Sequence, residues 1–109
     1  MESQHKDLAA GRWGEFSLDE QLGNVGSEIH RALRWKSDDA KHFENAVWRA
    51  LELLDLTLAD PRWKKRLKEI ARAREVVVDA YLGGNEYGST FEDLDKYFFQ
   101  FALAARVAR

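Results

Sequence analysis

SLDEQLGNVGSEIHRALRW, residues 17–35, is the stretch that decides the fold. Ser17-Leu18-Asp19-Glu20 is a capping-box pattern: the serine caps a backbone N–H and the glutamate reaches back to the N–H of the cap residue. Behind it Leu18, Leu22, Val25, Ile29 and Ala32 recur at spacings of 4, 3, 4 and 3, one face of an α-helix, and Leu33 widens that stripe. Gly23 and Gly26 lie inside it, and each costs about 1 kcal/mol relative to alanine in a helix interior. The close approach of a neighbouring helix explains them, with a ligand lying on the backbone as the alternative.

The same period continues outward. Ser37-Asp38-Asp39 breaks the chain and supplies caps for a second helix, whose apolar positions are Phe43, Val47, Ala50, Leu54 and Leu58. Ala46, Trp48, Leu51, Leu53 and Leu56 spread its stripe so widely that a central position, or a second contact surface, is expected. Asp60-Pro61 marks the next start, since aspartate is a favoured N-cap and proline suits the first helical position. The third helix is expected to carry Trp63, Leu67, Ile70, Val77 and Tyr81, with Arg74 in the same register, and to stop at Gly83-Gly84. Ser89-Thr90-Phe91-Glu92 is a second capping-box pattern. The fourth helix follows with Phe91, Leu94, Phe98, Phe101 and Ala105.

Four helices joined by short turns predict an all-α, up-down-up-down four-helix bundle over residues 17–109. Residues 1–16 have no sustained period. They read as a partly ordered arm, with a helical turn available at Asp7–Ala10, that docks through Trp13 and Phe16.

Composition narrows the function classes. The 109 residues suit one domain, and 45% hydrophobic with 33% charged is the composition of a folded chain. Seventeen basic and nineteen acidic residues give a net charge of −2 and form no strongly basic tract. Nucleic acid is therefore neither indicated nor excluded, because a local basic patch remains open. With no cysteine, disulfides, zinc-thiolate sites and thiol nucleophiles are ruled out. No run is long and apolar enough for a bilayer, and the N-terminus has no basic segment followed by an apolar one, so neither membrane nor signal peptide is expected and the cytoplasm is the default location.

Catalytic patterns are weak. A four-helix bundle holds two metals with carboxylates and Glu-x-x-His pairs, whereas this chain offers only Asp39-x-x-His42 in a first turn, where aspartate is common for dipole reasons. No metal and no cofactor are expected. There is no Gly-x-Ser-x-Gly, and Gly83, Gly84 and Gly88 lack the lysine of a phosphate-binding loop.

The segment 72–81 carries the candidate binding residues Arg72, Arg74, Glu75, Asp79 and Tyr81. Arg74 sits in a core-type register and needs a carboxylate partner or an escape to the surface. Lys68, Arg72, Glu75 and Asp79 fall on another face and read first as a solvated, salt-bridged surface. On a continuous helix Asp79 stands about 140° from Arg74, so the two do not pair.

Arg74-x4-Asp79-x-Tyr81 resembles the Arg-x4-His-x-Tyr signature of HEPN-type proteins. The resemblance covers residues 72–87 and the all-helical layout. It implies a small helical bundle, often dimeric, acting as an RNase toxin or as the partner of a minimal nucleotidyltransferase. Asp79 stands where that family has its catalytic histidine, and an aspartate does not supply imidazole acid–base chemistry near neutral pH without a large pKa shift. A non-enzymatic binding or interaction module is therefore the leading expectation, as a homodimer, because the second helix and Lys96-Tyr97-Phe98-Phe99-Gln100-Phe101 carry more apolar surface than one core requires. The rivals are a divergent HEPN-like ribonuclease and a small-ligand- or nucleotide-binding helical bundle.

Overall fold

The computed structural model describes residues 11–108. Within them the chain forms α1 (Leu18–Trp35), α2 (Ala40–Leu58), α3 (Leu67–Tyr81) and α4 (Phe91–Val107), with 3-10 turns at Arg12–Glu15 and Pro61–Arg66. The helices run up-down-up-down. Gly23 lies against Ala102 and Gly26 against Phe98, which makes α1 and α4 antiparallel. Glu28 bonds Arg49 across α1 and α2, and Asp55 bonds Arg74 across α2 and α3. The segment Asp7–Ala10 lies outside the described residues.

Local chemistry places the helix starts. Ser17 accepts from the Glu20 N–H and Glu20 accepts from the Ser17 N–H, so the first capping box forms as its sequence predicts. The second forms one residue later than expected. Thr90 is the N-cap and Asp93 closes the box, a shift that sets Phe91 at the first helical position and buries it. Thr90-x-x-Asp93 satisfies the same pattern as Ser89-x-x-Glu92, and burial of a phenylalanine, worth about 2–3 kcal/mol, chooses between them.

The α1 stripe is buried throughout: Leu18, Leu22, Val25, Ile29 and Ala32 enter one core with Val47, Leu54, Ile70, Val77, Phe91 and Phe98. The two glycines of α1 let α4 close on it. A Cβ at Gly26 would stand 2.8 Å from the Cβ of Phe98, and one at Gly23 would stand 3.1 Å from the Cα of Ala102. The wide apolar surface of α2 is absorbed inside the chain. Leu51, Leu53 and Leu54 are buried, and Trp48, Leu56 and Leu58 pack against the core from its edge, but the central position belongs to α1, which packs closely on both α2 and α4.

The third helix departs from expectation. The backbone at Trp63 leaves helical geometry (φ −104°, ψ 24°), and α3 begins only at Leu67. Trp63 therefore does not continue the α3 stripe, and Leu67 is 39% exposed instead of lying in the core. The reason is a polar cluster at this end of the bundle. Gln21, fully buried, donates to Asp60 Oδ2 (3.0 Å) and to the Trp13 carbonyl (2.9 Å), and accepts from Trp63 Nε1 (3.0 Å). Trp13 Nε1 donates to Thr57 Oγ1 at 3.3 Å, and Arg62 donates to the Phe16 carbonyl at 2.7 Å. Swinging the indole of Trp63 to Gln21 satisfies a buried amide whose unmade bonds would cost about 1–3 kcal/mol. The same cluster docks the arm, with Trp13 buried and Phe16 edge-on to it.

Candidate functional site

The five residues of segment 72–81 divide between two faces of α3. On one face Arg74 donates to Asp55 of α2, Nε to Oδ1 at 2.7 Å, which supplies the carboxylate from another helix that its register requires. Tyr81, on the same face, stacks on Phe43 and tilts against Trp48, with ring centroids 6.0 and 6.1 Å apart. On the other face Arg72, Glu75 and Asp79 gather around the loop 83–89. Asp79 accepts from the backbone N–H groups of Glu86 and Tyr87, both at 3.0 Å. Glu75 accepts from the Tyr87 hydroxyl at 2.7 Å, and Arg72 lies 5.3 Å from the centroid of the same ring. That bond to Glu75 raises the Tyr87 pKa. Each of these side chains has a loop or helix to hold. The Gly83 and Gly84 backbones, both at positive φ, let the chain turn back so that Asp79 reaches those amides.

Beside this cluster the α3–α4 seam is partly open. Ala73, Val76, Leu94 and Tyr97 line a cleft of about 270 Å³ between Glu69, Arg72 and Asp93. Burial, with Glu69 adding to it, raises the Tyr97 pKa there.

A larger groove of about 690 Å³ runs along the outer face of the α1–α4 pair. Its floor is Gly23, Gly26, Ala102 and the base of Phe98, so the close helix approach that the glycines permit also makes the channel shallow-walled and apolar. Phe99 stands in it 53% exposed. Its walls carry His30, Arg31 and Arg34 from α1 and Lys96 and Arg106 from α4, against one carboxylate, Asp95. Two of these groups are engaged: His30 Nδ1 lies 3.2 Å from Asp95, and Arg31 pairs with the buried Glu28. Arg34, Lys96 and Arg106 enter no ion pair among the described residues; Arg34 only lies over the Trp35 ring, 5.7 Å from its centroid.

Sequence reasoning did not assemble this groove, because its walls are distant in the chain: His30 and Asp95, which meet across it, stand 65 residues apart. The signal that was present is Gly23-x-x-Gly26 followed by His30, Arg31 and Arg34, the ligand alternative raised for the two glycines.

Among the described residues no three or more His, Asp or Glu side chains come together as a metal site. Asp39 and His42 pair at 2.8 Å, and the His42 ring lies against Trp35. Among the described residues no helix is long and apolar enough to cross a membrane. Protein-family models, curated proteins and solved structures were each compared with the chain, and none matches it.

Proposed function

We propose that the chain is a non-enzymatic binding module that works through the α1–α4 groove. The observation that carries this is the concentration of three cations, Arg34, Lys96 and Arg106, that enter no ion pair among the described residues, around an apolar floor in a chain whose net charge is −2. In the alternative centre, Arg72 with Glu75 and Asp79, both carboxylates already accept from the 83–89 loop, and Arg72 lies between Glu75 and the Tyr87 ring. A groove of this size falls in the range of ligand sites, which are about 300–1,000 Å³ and mostly apolar with a few placed polar groups.

The excess apolar surface that motivates a partner is thereby narrowed to α4, since that of α2 is covered within the chain. A homodimer is the second reading, favoured by the open α3–α4 seam with its mixed charges and by Tyr87, exposed beside Arg72 at its edge. The HEPN resemblance would make a small nucleotidyltransferase one candidate for the occupant of the groove.

The test is charge reversal at the three positions that enter no ion pair among the described residues. Arg34→Glu, Lys96→Glu and Arg106→Glu together leave the helical circular dichroism spectrum unchanged and abolish the complex that the wild type forms in extracts of its source cells. Arg72→Glu retains that complex. Loss with Arg72→Glu and retention in the triple variant would transfer the function to the α3 cluster.

A further inference from the structure

We infer that the occupant of the α1–α4 groove is an acidic amphipathic helix of another protein, an inference that rests on the binding role proposed above. The apolar part of the surface has helical periodicity of its own. Phe99, Leu103 and Val107 stand at i, i+4 and i+8 on α4, all exposed, a stripe on its solvent face that begins in the groove at Phe99. Eight residues of helix extend it over about 12 Å, and the α1 wall from Gly23 to Arg34 runs about 16 Å, the length of three helical turns. An amphipathic helix laid in such a groove places i, i+3, i+4 and i+7 anchors along it. Its flanks then meet Arg34 and Lys96 toward one end and Arg106 toward the other, so carboxylates on both flanks are complementary to the walls.

The other occupants fit less of the surface. A single-stranded nucleic acid would use the cations, but stacking of successive bases needs successive rings, and among the described residues the groove exposes only the Phe99 ring and the His30 imidazole, which is engaged with Asp95. A phosphate held by backbone N–H groups finds none open on the walls, which are helix interiors, and the start of α4 is closed by its capping box. An anionic bilayer surface would meet the cations but leave the concave glycine floor unfilled. A second copy docked by the same face would set one cationic groove against another across a two-fold axis, which is repulsive.

The test uses the full chain and a labelled helical peptide with leucines at i, i+4, i+7 and i+11 and glutamates on both flanks. The comparison probes are the same peptide with lysine for each glutamate, a single-stranded RNA and vesicles containing phosphatidylserine. Fluorescence anisotropy is expected to show binding of the acidic peptide at least about tenfold tighter than of its basic counterpart, weakening as salt rises. Arg34→Glu with Lys96→Glu and, separately, Phe99→Ser should each lower affinity about tenfold or more. In an amide NMR titration the shifts should concentrate at Gly23, Gly26 and Ala102. Acidic and basic peptides binding alike, or an acidic-peptide affinity untouched by both variants, overturns the inference. RNA or vesicles binding in place of the peptide, with shifts at the same amides, overturns the helix and leaves the groove as the site. Failure of the triple-reversal experiment would instead remove the groove itself.

Discussion

Asp60 is the residue through which the arm, α1 and the turn into α3 are joined, and its replacement by asparagine is the sharpest probe of that end. The carboxylate accepts from Arg62 through its guanidinium (2.7 Å) and its backbone N–H (3.0 Å), and from Gln21 Nε2 (3.0 Å). These bonds, Arg62's first, hold its pKa down at about 2 against an ordinary 3.8. At about 1.4 kcal/mol for each pH unit that depression amounts to about 2.4 kcal/mol, and discounting it because the Arg62 side chain is 40% exposed leaves about 1–2 kcal/mol. A pKa lower in the folded than in the unfolded chain stabilises fully above the unfolded value and is lost as pH falls through the folded one. An asparagine at this position would keep the cap through its one oxygen, because asparagine is as good an N-cap as aspartate; its NH2 replaces the oxygen that accepts from Gln21 and Arg62, much as the hydroxyl of a protonated aspartate does. Urea unfolding followed by tryptophan fluorescence should therefore find Asp60→Asn less stable by about 1–2 kcal/mol at pH 7 and pH 5, with the difference shrinking below about pH 4 and nearly gone by pH 2. Equal stabilities at neutral pH, or a difference that persists into strong acid, would refute the role given to this ion pair.

The remaining predictions concern the helix contact, the loop, the α3 arginine and catalysis. Gly26→Ala drives a methyl to within 2.8 Å of Phe98 and should cost about 1–2 kcal/mol in urea unfolding after its gain in helix propensity. Gly23→Ala, 3.1 Å from the Ala102 backbone, should cost less, and a stabilised Gly26→Ala protein would contradict the α1–α4 packing. Asp79→Ala frees the amides of Glu86 and Tyr87, so their hydrogen exchange should speed up about tenfold while amides in α1 keep their rates; unchanged exchange in the loop would count against the staple. Arg74→Met should fold normally and change stability by no more than about 1 kcal/mol, because its pair with Asp55 is solvent-exposed; a collapse of the fold would show that the pair carries far more. Purified wild type incubated with RNA should leave it intact, and cleavage that disappears in both Arg74→Met and Asp79→Asn would restore the ribonuclease alternative.

How much of this was legible depends on whether a feature is local. The α1 stripe needed only the period of a helix, and every one of Leu18, Leu22, Val25, Ile29 and Ala32 is buried. Asp60-Pro61 marked a start for the same reason, because capping is a matter of adjacent residues. What failed is what depends on partners far along the chain. The 4-3-4 spacing runs on through Trp63 and Leu67, yet Trp63 answers to Gln21, forty-two positions earlier, and that bond breaks the register. Gln21 itself lies outside the leucine stripe and gives no warning that it is fully buried. Periodicity also cannot tell which of two wide helices is covered: the apolar surface of α2 packs into or against the core, while Phe99, Leu103 and Val107 of α4 face solvent. Arg74 and Asp79 could be assigned separate duties from helical geometry alone, but the groove needed Arg34 brought beside Lys96, which only the folded chain does.

The central claim is that contact is made in the α1–α4 groove and not at the α3 cluster, and position-specific photo-crosslinking in living cells tests it most directly. A photoreactive phenylalanine replaces either Phe99, exposed in the groove, or Tyr87, exposed beside Arg72 and Glu75. The account predicts that position 99 yields a discrete adduct that vanishes when Arg34, Lys96 and Arg106 are reversed, and that position 87 yields none with a foreign protein. An adduct formed from position 87 alone, insensitive to those three charges, would contradict it.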